Sequence, residues 1–416
     1  KVMPTFERVY ARAERAARRG KAAFHASVAG AEEPTVIRSF ANTPREQAEV
    51  GAGVAWFGEH LSLDLTVSGV DDPADGDDVR LDGSQVAVDL GNWSVAASKM
   101  DRWWGPGWDG SLILSSNARP IPSLVIGRNR NDAFASKWLS WIGPWDLQVL
   151  FGQLESERAV PDAQFFGLRF NFRPVPSVEI GISRTAQWCG EGRPCGWDTF
   201  WDLFLGRDNL GDAGVTPENE PGNQMAGFDM RWTNRWFGAP LTLYGQMIGE
   251  DEAGGFPSRY LAQFGVEGSG ITRGRTSYRW FAEVAGTSCD VVKEDLFNCG
   301  YRQGIYLSGY TYKGRIVGHG LDNDALVYSA GVVVVGEGGN AWHMIGRYGD
   351  VNRGGGIDTQ HSLSPVPAEL ASVDLQFDFS TRVGVFEVGL GYERLEVPLT
   401  SVSEGNARGF LRWRSR

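Results

Sequence analysis

The acidic run Glu250-Asp251-Glu252 is the first place to look for chemistry in this chain. Glycoside hydrolysis needs two carboxyl groups facing each other across a cleft at a set separation. Successive residues of a strand point to opposite faces, so Glu250 and Glu252 share a face and Asp251 does not. That geometry suits charge pairing better than catalysis. Glu191, Asp208, Glu250, Asp251 and Glu252 are therefore read as loop-pairing carboxylates, with Arg119, Arg184, Arg193 and Arg207 as partners, and calcium as the alternative occupant. Arg184, Gln187 and Arg193 form a second group. Guanidinium forks match carboxylates, so they suit an acidic sugar, or they hold loops together. Trp103, Trp104 and Trp108 form a third group, interleaved with Gly105, Pro106 and Gly107. They are either a platform for the apolar face of a sugar ring or a packed turn in which glycine lets rings and backbone approach. The five His show no metal-ligand spacing and no Ser-His-Asp set stands out, so no enzyme, cofactor or metal site is expected. Gly336-x-Gly338-Gly339 precedes no helix and reads as a turn.

The four Cys form two local pairs, Cys189 with Cys195 and Cys289 with Cys299. Neither pair has zinc-finger or Cys-x-x-Cys spacing. In an exported protein, disulfides that pin two loops are the expected outcome.

These residues must be positioned by strands. Phe166, Leu168, Phe170 and Phe172 alternate with Gly167, Arg169, Asn171 and Arg173; Val373, Leu375, Phe377 and Phe379 alternate with Asp374, Gln376 and Asp378. A period of two with one apolar and one charged face indicates outer-membrane barrel strands. The 416 residues include 55 Gly, 16 Trp and 22 Phe, which suits turns and aromatic girdles. No run of about 18 apolar residues is present to form a transmembrane helix. The net charge of −11 offers no basic field for nucleic acid. The pattern predicts 18 antiparallel strands between residues 21 and 416, preceded by a helical segment over 1–20 with its helix at 4–19. The chain opens without an initiator Met, so a processed or truncated export product is expected.

Connections alternate in length. Residues 59–60, 92, 174–176 and 338–339 are tight; 31–48, 70–83, 102–120, 188–223, 288–324 and 351–370 are long. Barrels place short turns in the periplasm and long loops outside, so both termini are expected in the periplasm and both Cys pairs outside. A barrel this wide cannot be filled by its own side chains, and 188–223 and 288–324 are long enough to fold inward.

Several ordered segments are distinctive: Asp101-Arg102-Trp103-Trp104-Gly105-Pro106-Gly107-Trp108, Asn117-Ala118-Arg119-Pro120, Trp141-Ile142-Gly143-Pro144-Trp145, Gln187-Trp188, Gly190-Glu191-Gly192-Arg193-Pro194, Asp208-Asn209, Glu220-Pro221-Gly222-Asn223-Gln224 and Tyr244-Gly245-Gln246. From the helix to about residue 350 they resemble the Wzi-type capsule-assembly outer-membrane proteins. The resemblance implies an 18-stranded barrel with periplasmic helices. It also implies a surface lectin that helps retain capsular polysaccharide, with no chemistry in its role. The family's helical part is longer, and this chain is expected to begin within its last helix. Trp103, Trp104, Trp108, Arg119, Arg184, Gln187, Trp188, Arg193, Asn209, Asn223 and Gln224 are the carbohydrate-binding candidates. Expected partners are capsular or extracellular polysaccharide, outer-membrane lipid and lipopolysaccharide, and the polysaccharide export machinery, around a monomer. The alternative is a sugar channel or porin, for which Arg169, Asp229, Arg231, Glu283, Asp374 and Asp378 supply charged lumen positions.

Overall fold

The structure is a computed structural model describing residues 20–39, 43–204, 222–236, 238–253, 256–289, 296–398, 400 and 402–415, with side chains left aside in 251–258. The helix expected over 4–19 lies outside the described residues, as do Asp208, Asn209 and the side chains of Asp251 and Glu252.

The main sheet has 19 strands, of which Val79–Arg80 is a two-residue piece. The other eighteen are the staves of a barrel. They are β1 Ala22–Glu32, β2 Ala48–Phe57, β3 Leu61–Asp71, β4 Gln85–Leu90, β5 Trp93–Ser98 and β6 Ser123–Arg128. Next come β7 Trp145–Gln153, β8 Gln164–Val175, β9 Val178–Trp188, β10 Gly222–Trp236, β11 Ala239–Ala253 and β12 Phe256–Ile271. The last six are β13 Ser277–Gly286, β14 Leu326–Val335, β15 Ala341–Val351, β16 Ala368–Ser380, β17 Val385–Val397 and β18 Val402–Arg414. Each pairs antiparallel with its sequence neighbours, and β1 also pairs with β18 from Ser27↔Arg414 to Glu32↔Gly409, which closes the barrel. Closure leaves no unpaired edge, the condition for a sheet to cross hydrocarbon.

The two-residue period decides what faces where. On β8, Arg169 turns inward and meets Asp229 of β10 at 2.7 Å and Ser183 of β9 at 2.6 Å. The pair reaches across β9 because position 181 is glycine; a Cβ there would stand 2.5 Å from both Arg169 Nη2 and Asp229 Oδ2. The opposite face of the same strands is apolar and open, with Ile182 paired in register to Phe170 and Phe228. Exposed Tyr328, Tyr348 and Tyr392 mark the wall toward one end, and exposed Trp93, Trp232, Trp280 and Trp342 mark it toward the other. These are the two aromatic girdles of a membrane barrel.

All six links expected to be long leave the barrel at one end, and both described chain ends lie at the other. The link 129–144 is a further long connection at the short-turn end; it holds a single 3-10 turn, Ser140–Ile142, and exposed Trp138 and Trp141. Two loops turn into the lumen, 99–122 and the described residues of 287–325. The expectation that 188–223 also folds inward needs correction for its described part. There the chain forms helix α1, Trp197–Phe204, packed on the outer wall. The main core is inside the barrel, where Trp104, Leu112 and Ile113 of the first loop and Tyr301, Tyr306 and Tyr310 of the second pack against Leu150, Phe165, Met225, Ile248 and Leu261 of the staves.

Candidate functional site

Loop 99–122 is bound to the wall group by group. The backbone N–H groups of Trp108 and Asp109 both donate to Glu283 of β13, the latter at 2.9 Å. The Trp108 indole donates to Glu267 of β12 at 2.5 Å and its ring stacks on Phe281 at 5.8 Å. Arg231 of β10 pairs with Glu267 and donates to the Pro106 carbonyl. Gln246 of β11 acts as an adaptor, accepting from Leu112 N and donating to Trp104 O, each at 2.8 Å. Asp109 accepts from Arg347 of β15 at 2.7 to 3.0 Å, and both side chains are buried. A buried charge is tolerated only when paired in this way.

Loop 287–325 closes over the first. Tyr301 donates to Leu112 O, and Tyr310 donates to Ile113 O, each at 2.8 Å. The two rings stack at 6.0 Å. Burial pushes both phenols far above their ordinary range, so they stay neutral donors. Cys289 bonds to Cys299, and Cys189 bonds to Cys195. The Glu250 carboxylate lies within 4.8 Å of the Cys289 and Cys299 sulfurs, but oxidised sulfurs are not metal ligands.

His319 packs against Gly110, where any Cβ would collide with the imidazole. Its Nε2 finds no hydrogen-bond partner among the described residues, and burial pushes its pKa down to about 4. An unfolded histidine titrates near 6.5. Above that value both states are neutral and the group is silent. As pH falls from 6.5 toward 4 only the unfolded chain takes the proton, so stability is lost, by about 3 kcal/mol in full. The thermal midpoint is expected to drop between pH 7.5 and 4.5, and to drop less in His319→Gln. Parallel losses in both proteins would remove His319 from the account.

At the rim of the long-loop end, Arg119 meets Asp75, Asp77 and Asp82 at 2.7 to 2.8 Å. Arg80 pairs with Glu46 and Asp75, and Lys313 with Asp77. Burial opposes the charges on Asp75 and Asp77, but the hydrogen bonds and charge of Arg119 outweigh it and hold both below the usual range. Residues 33–39 and 43–47 roof this region. Arg38 donates to the carbonyls of Thr43 and Pro44, and Arg45 to those of Ser116, Asn117 and Ala118.

The sequence candidates thus sort into several places. Trp104, Trp108, Gln187, Asn223 and Glu250 are in the lumen. Gln187 donates to Gly309 O and accepts from Asn223. Arg119 is at the rim, paired with Asp75, Asp77 and Asp82. Arg184, Trp188 and Gln224 face outward, and Arg184 donates to Gln224 at 2.9 Å. Trp103 is half-buried, its indole on the Gly107 carbonyl at 3.1 Å; Glu191 is exposed and Arg193 half-buried at the Cys189–Cys195 turn. The packed-turn arrangement is what Trp104 and Trp108 adopt. The lumen charges considered for a channel are used in pairs: Arg169 with Asp229, Arg231 with Glu267, Asp374 with Arg347 and Arg408, and Asp378 with His343. Sequence reading missed Asp109, Tyr301 and Tyr310, which no local motif singles out, and it gave Gln246 no role beyond its place in the Tyr244-Gly245-Gln246 segment.

Beside the plug a cavity of about 200 Å³ remains along the β13–β18 wall. Pro34, Thr43 and Pro44 line it at the long-loop end, Trp108 and Phe281 along its side, and Asp378, Glu387 and Arg414 at the short-turn end.

The family model of capsule assembly protein Wzi matches residues 16–408. An uncharacterized 55.8 kDa protein in the cps region of Klebsiella pneumoniae is 36% identical over 259 residues, which is 62% of this chain and 50% of that protein. The chain therefore spans about half the length of this curated relative. The structure of Wzi from Escherichia coli, an outer-membrane carbohydrate-binding β-barrel involved in group 1 capsule assembly, is similar with a TM-score of 0.83 and 26% identity, covering 97% of this chain and 86% of that one. The Pseudomonas aeruginosa outer-membrane protein OpdK shares the fold alone, with a TM-score of 0.51 and 9% identity over 95% of this chain and 98% of that one. A match running through nearly every stave, on a closed barrel filled by its own loops, makes this chain an outer-membrane member of the Wzi family of capsule assembly proteins.

Proposed function

We propose that this barrel is a polysaccharide-binding protein of the cell surface, which helps attach or assemble capsular or extracellular polysaccharide. The observation that carries the reading is the plug. Two loops occupy much of the lumen, and its charges are used in structural pairs, stave to stave for Arg169–Asp229 and Arg231–Glu267 and stave to loop for Arg347–Asp109, so the chemistry left for a polymer is on the long-loop face. In this reading the long loops face outward and both termini face the periplasm, where export machinery is the expected neighbour. The reading assigns binding and no catalysis. A monomer supplies one shallow site, and the repeating polymer supplies avidity.

Arg102 and Trp103 are half-buried at the mouth of the plug. Burial pushes the Arg102 pKa down to about 10, which still leaves it charged at neutral pH. An aromatic face beside a guanidinium suits an acidic sugar. Arg102→Ala is expected to weaken binding of the source's own polysaccharide by about tenfold, the effect of losing one charge-assisted hydrogen bond. The check is a titration by surface plasmon resonance; unchanged binding moves the site to the loops at 296–316 and 352–367.

The cavity beside the plug favours a second reading, a narrow solute path. Planar-bilayer conductance separates the two, and a silent wild type is expected.

A further inference from the structure

Helix α1 lies where lipid would otherwise touch the barrel. Alternation sets the faces beneath it: Phe165 and Arg169 of β8 point into the lumen, so Phe166 and Leu168 point out; Thr185 and Gln187 of β9 point in, so Arg184, Ala186 and Trp188 point out. Phe200 and Leu203 of α1 bury against Phe166 and Ala186. The Phe200 ring meets Trp188 at 5.2 Å and Phe166 at 5.5 Å.

Two devices fix the helix there. The Cys189–Cys195 bond closes the turn that leads into it. At its other end Arg184 donates to the carbonyls of Leu203 and Phe204, each at 2.7 Å. A helix C-terminus carries unsatisfied carbonyls and partial negative charge, so a guanidinium is favoured there. The same contacts give partners to an arginine on a membrane-facing wall. The apolar belt begins directly below, where Ile182, two residues along β9, pairs in register with Phe170 and Phe228.

The free side of α1 is divided. Trp197 and Trp201 are 74% and 53% exposed and stand four residues apart, on one stripe. Asp198 and Asp202, also exposed and four apart, form the adjoining stripe. Tryptophan concentrates at the boundary between acyl chains and headgroups. A helix with an aromatic flank beside an acidic one matches that boundary.

We propose that α1 is an interfacial anchor for the leaflet at the long-loop end, the outer leaflet in the reading above. Trp197 and Trp201 enter the acyl–headgroup boundary of the lipid surrounding the barrel, and Asp198 and Asp202 stay in the aqueous layer. The anchor sets the height of the loop face above the lipid and keeps loop 189–204 away from that face.

The test places a nitroxide at Trp197→Cys or Asp202→Cys in the full chain, reconstituted in phosphatidylethanolamine–phosphatidylglycerol vesicles with and without rough lipopolysaccharide. Collision with oxygen reports lipid, and collision with a water-soluble nickel chelate reports water. At 197 the oxygen-to-nickel ratio is expected to exceed that at 202 by about threefold or more, as for a helix lying in an interface. Equal, nickel-dominated ratios at both positions would overturn the proposal and put α1 in water. A second measurement needs no added cysteine. Quenching of tryptophan fluorescence by brominated lipid is expected to be smaller in the Trp197→Phe, Trp201→Phe double variant than in wild type, and unchanged quenching would overturn the proposal. Both readouts are independent of polysaccharide binding, so failure here leaves the lectin reading untouched.

Discussion

Asp109→Ala is expected to unseat the plug while the barrel stays closed. Asp109 and Arg347 are both buried, and the carboxylate accepts three contacts of 2.7 to 3.0 Å from the guanidinium. Breaking a buried pair by removing one partner typically costs about 3–5 kcal/mol, because the remaining charge is left poorly compensated. Arg347 keeps Asp374 at 2.8 Å, which places the cost toward the lower end of that range. The loss falls on the cavity side of the plug, where Trp108 and Arg347 both line the remaining space. Two readouts follow. The thermal midpoint falls, and a bilayer silent with wild type begins to conduct. Asp109→Asn keeps an acceptor and the shape, so its effects are smaller. A silent bilayer and an unchanged midpoint for Asp109→Ala would show that this pair does not hold the loop.

Trp108→Ala is the second large effect. The side chain is buried, stacks on Phe281 at 5.8 Å, and donates to Glu267 at 2.5 Å. Removing a buried Trp costs about 3–5 kcal/mol through lost contacts and the cavity left behind. It also takes from Glu267 one of the two side chains that hydrogen-bond it among the described residues, the other being Arg231. Trp108→Phe keeps most of the ring packing and loses the indole donor, for about 1–2 kcal/mol. The pair of variants separates packing from recognition. If Trp108 packs the plug, the midpoint falls in the order Ala below Phe, and glycan binding follows stability. If its ring instead stacks on sugar, binding falls while the midpoint holds. Residues 108 and 109 are adjacent and share Glu283, so their effects are not expected to add.

The staves were legible because a membrane barrel writes its two environments into alternate residues. Phe166 to Phe172 read as one face and Arg169 as the other, and the structure turns Arg169 onto Asp229. The length of the links was legible too, since Gly, Pro and Asn mark the tight ones. The direction a loop takes was not. Residues 99–122 and 189–204 both carry several aromatics, yet the first enters the lumen and the second wraps outside. The difference lies with distant partners: Gln246, Glu283 and Arg347 receive the first loop, and outward-facing Arg184 receives the second. Such contacts join residues far apart in sequence, where no spacing rule operates. For the same reason Arg119 could be recognised as a pairing residue, but not as the partner of Asp75, Asp77 and Asp82.

Binding of the detergent-purified protein to polysaccharide from its own source, measured beside an unrelated glycan, tests the central claim most directly. Saturable binding selective for the native polymer, with a silent bilayer, is the predicted result. No binding at high polymer concentration, together with conductance through the wild-type barrel, would contradict it.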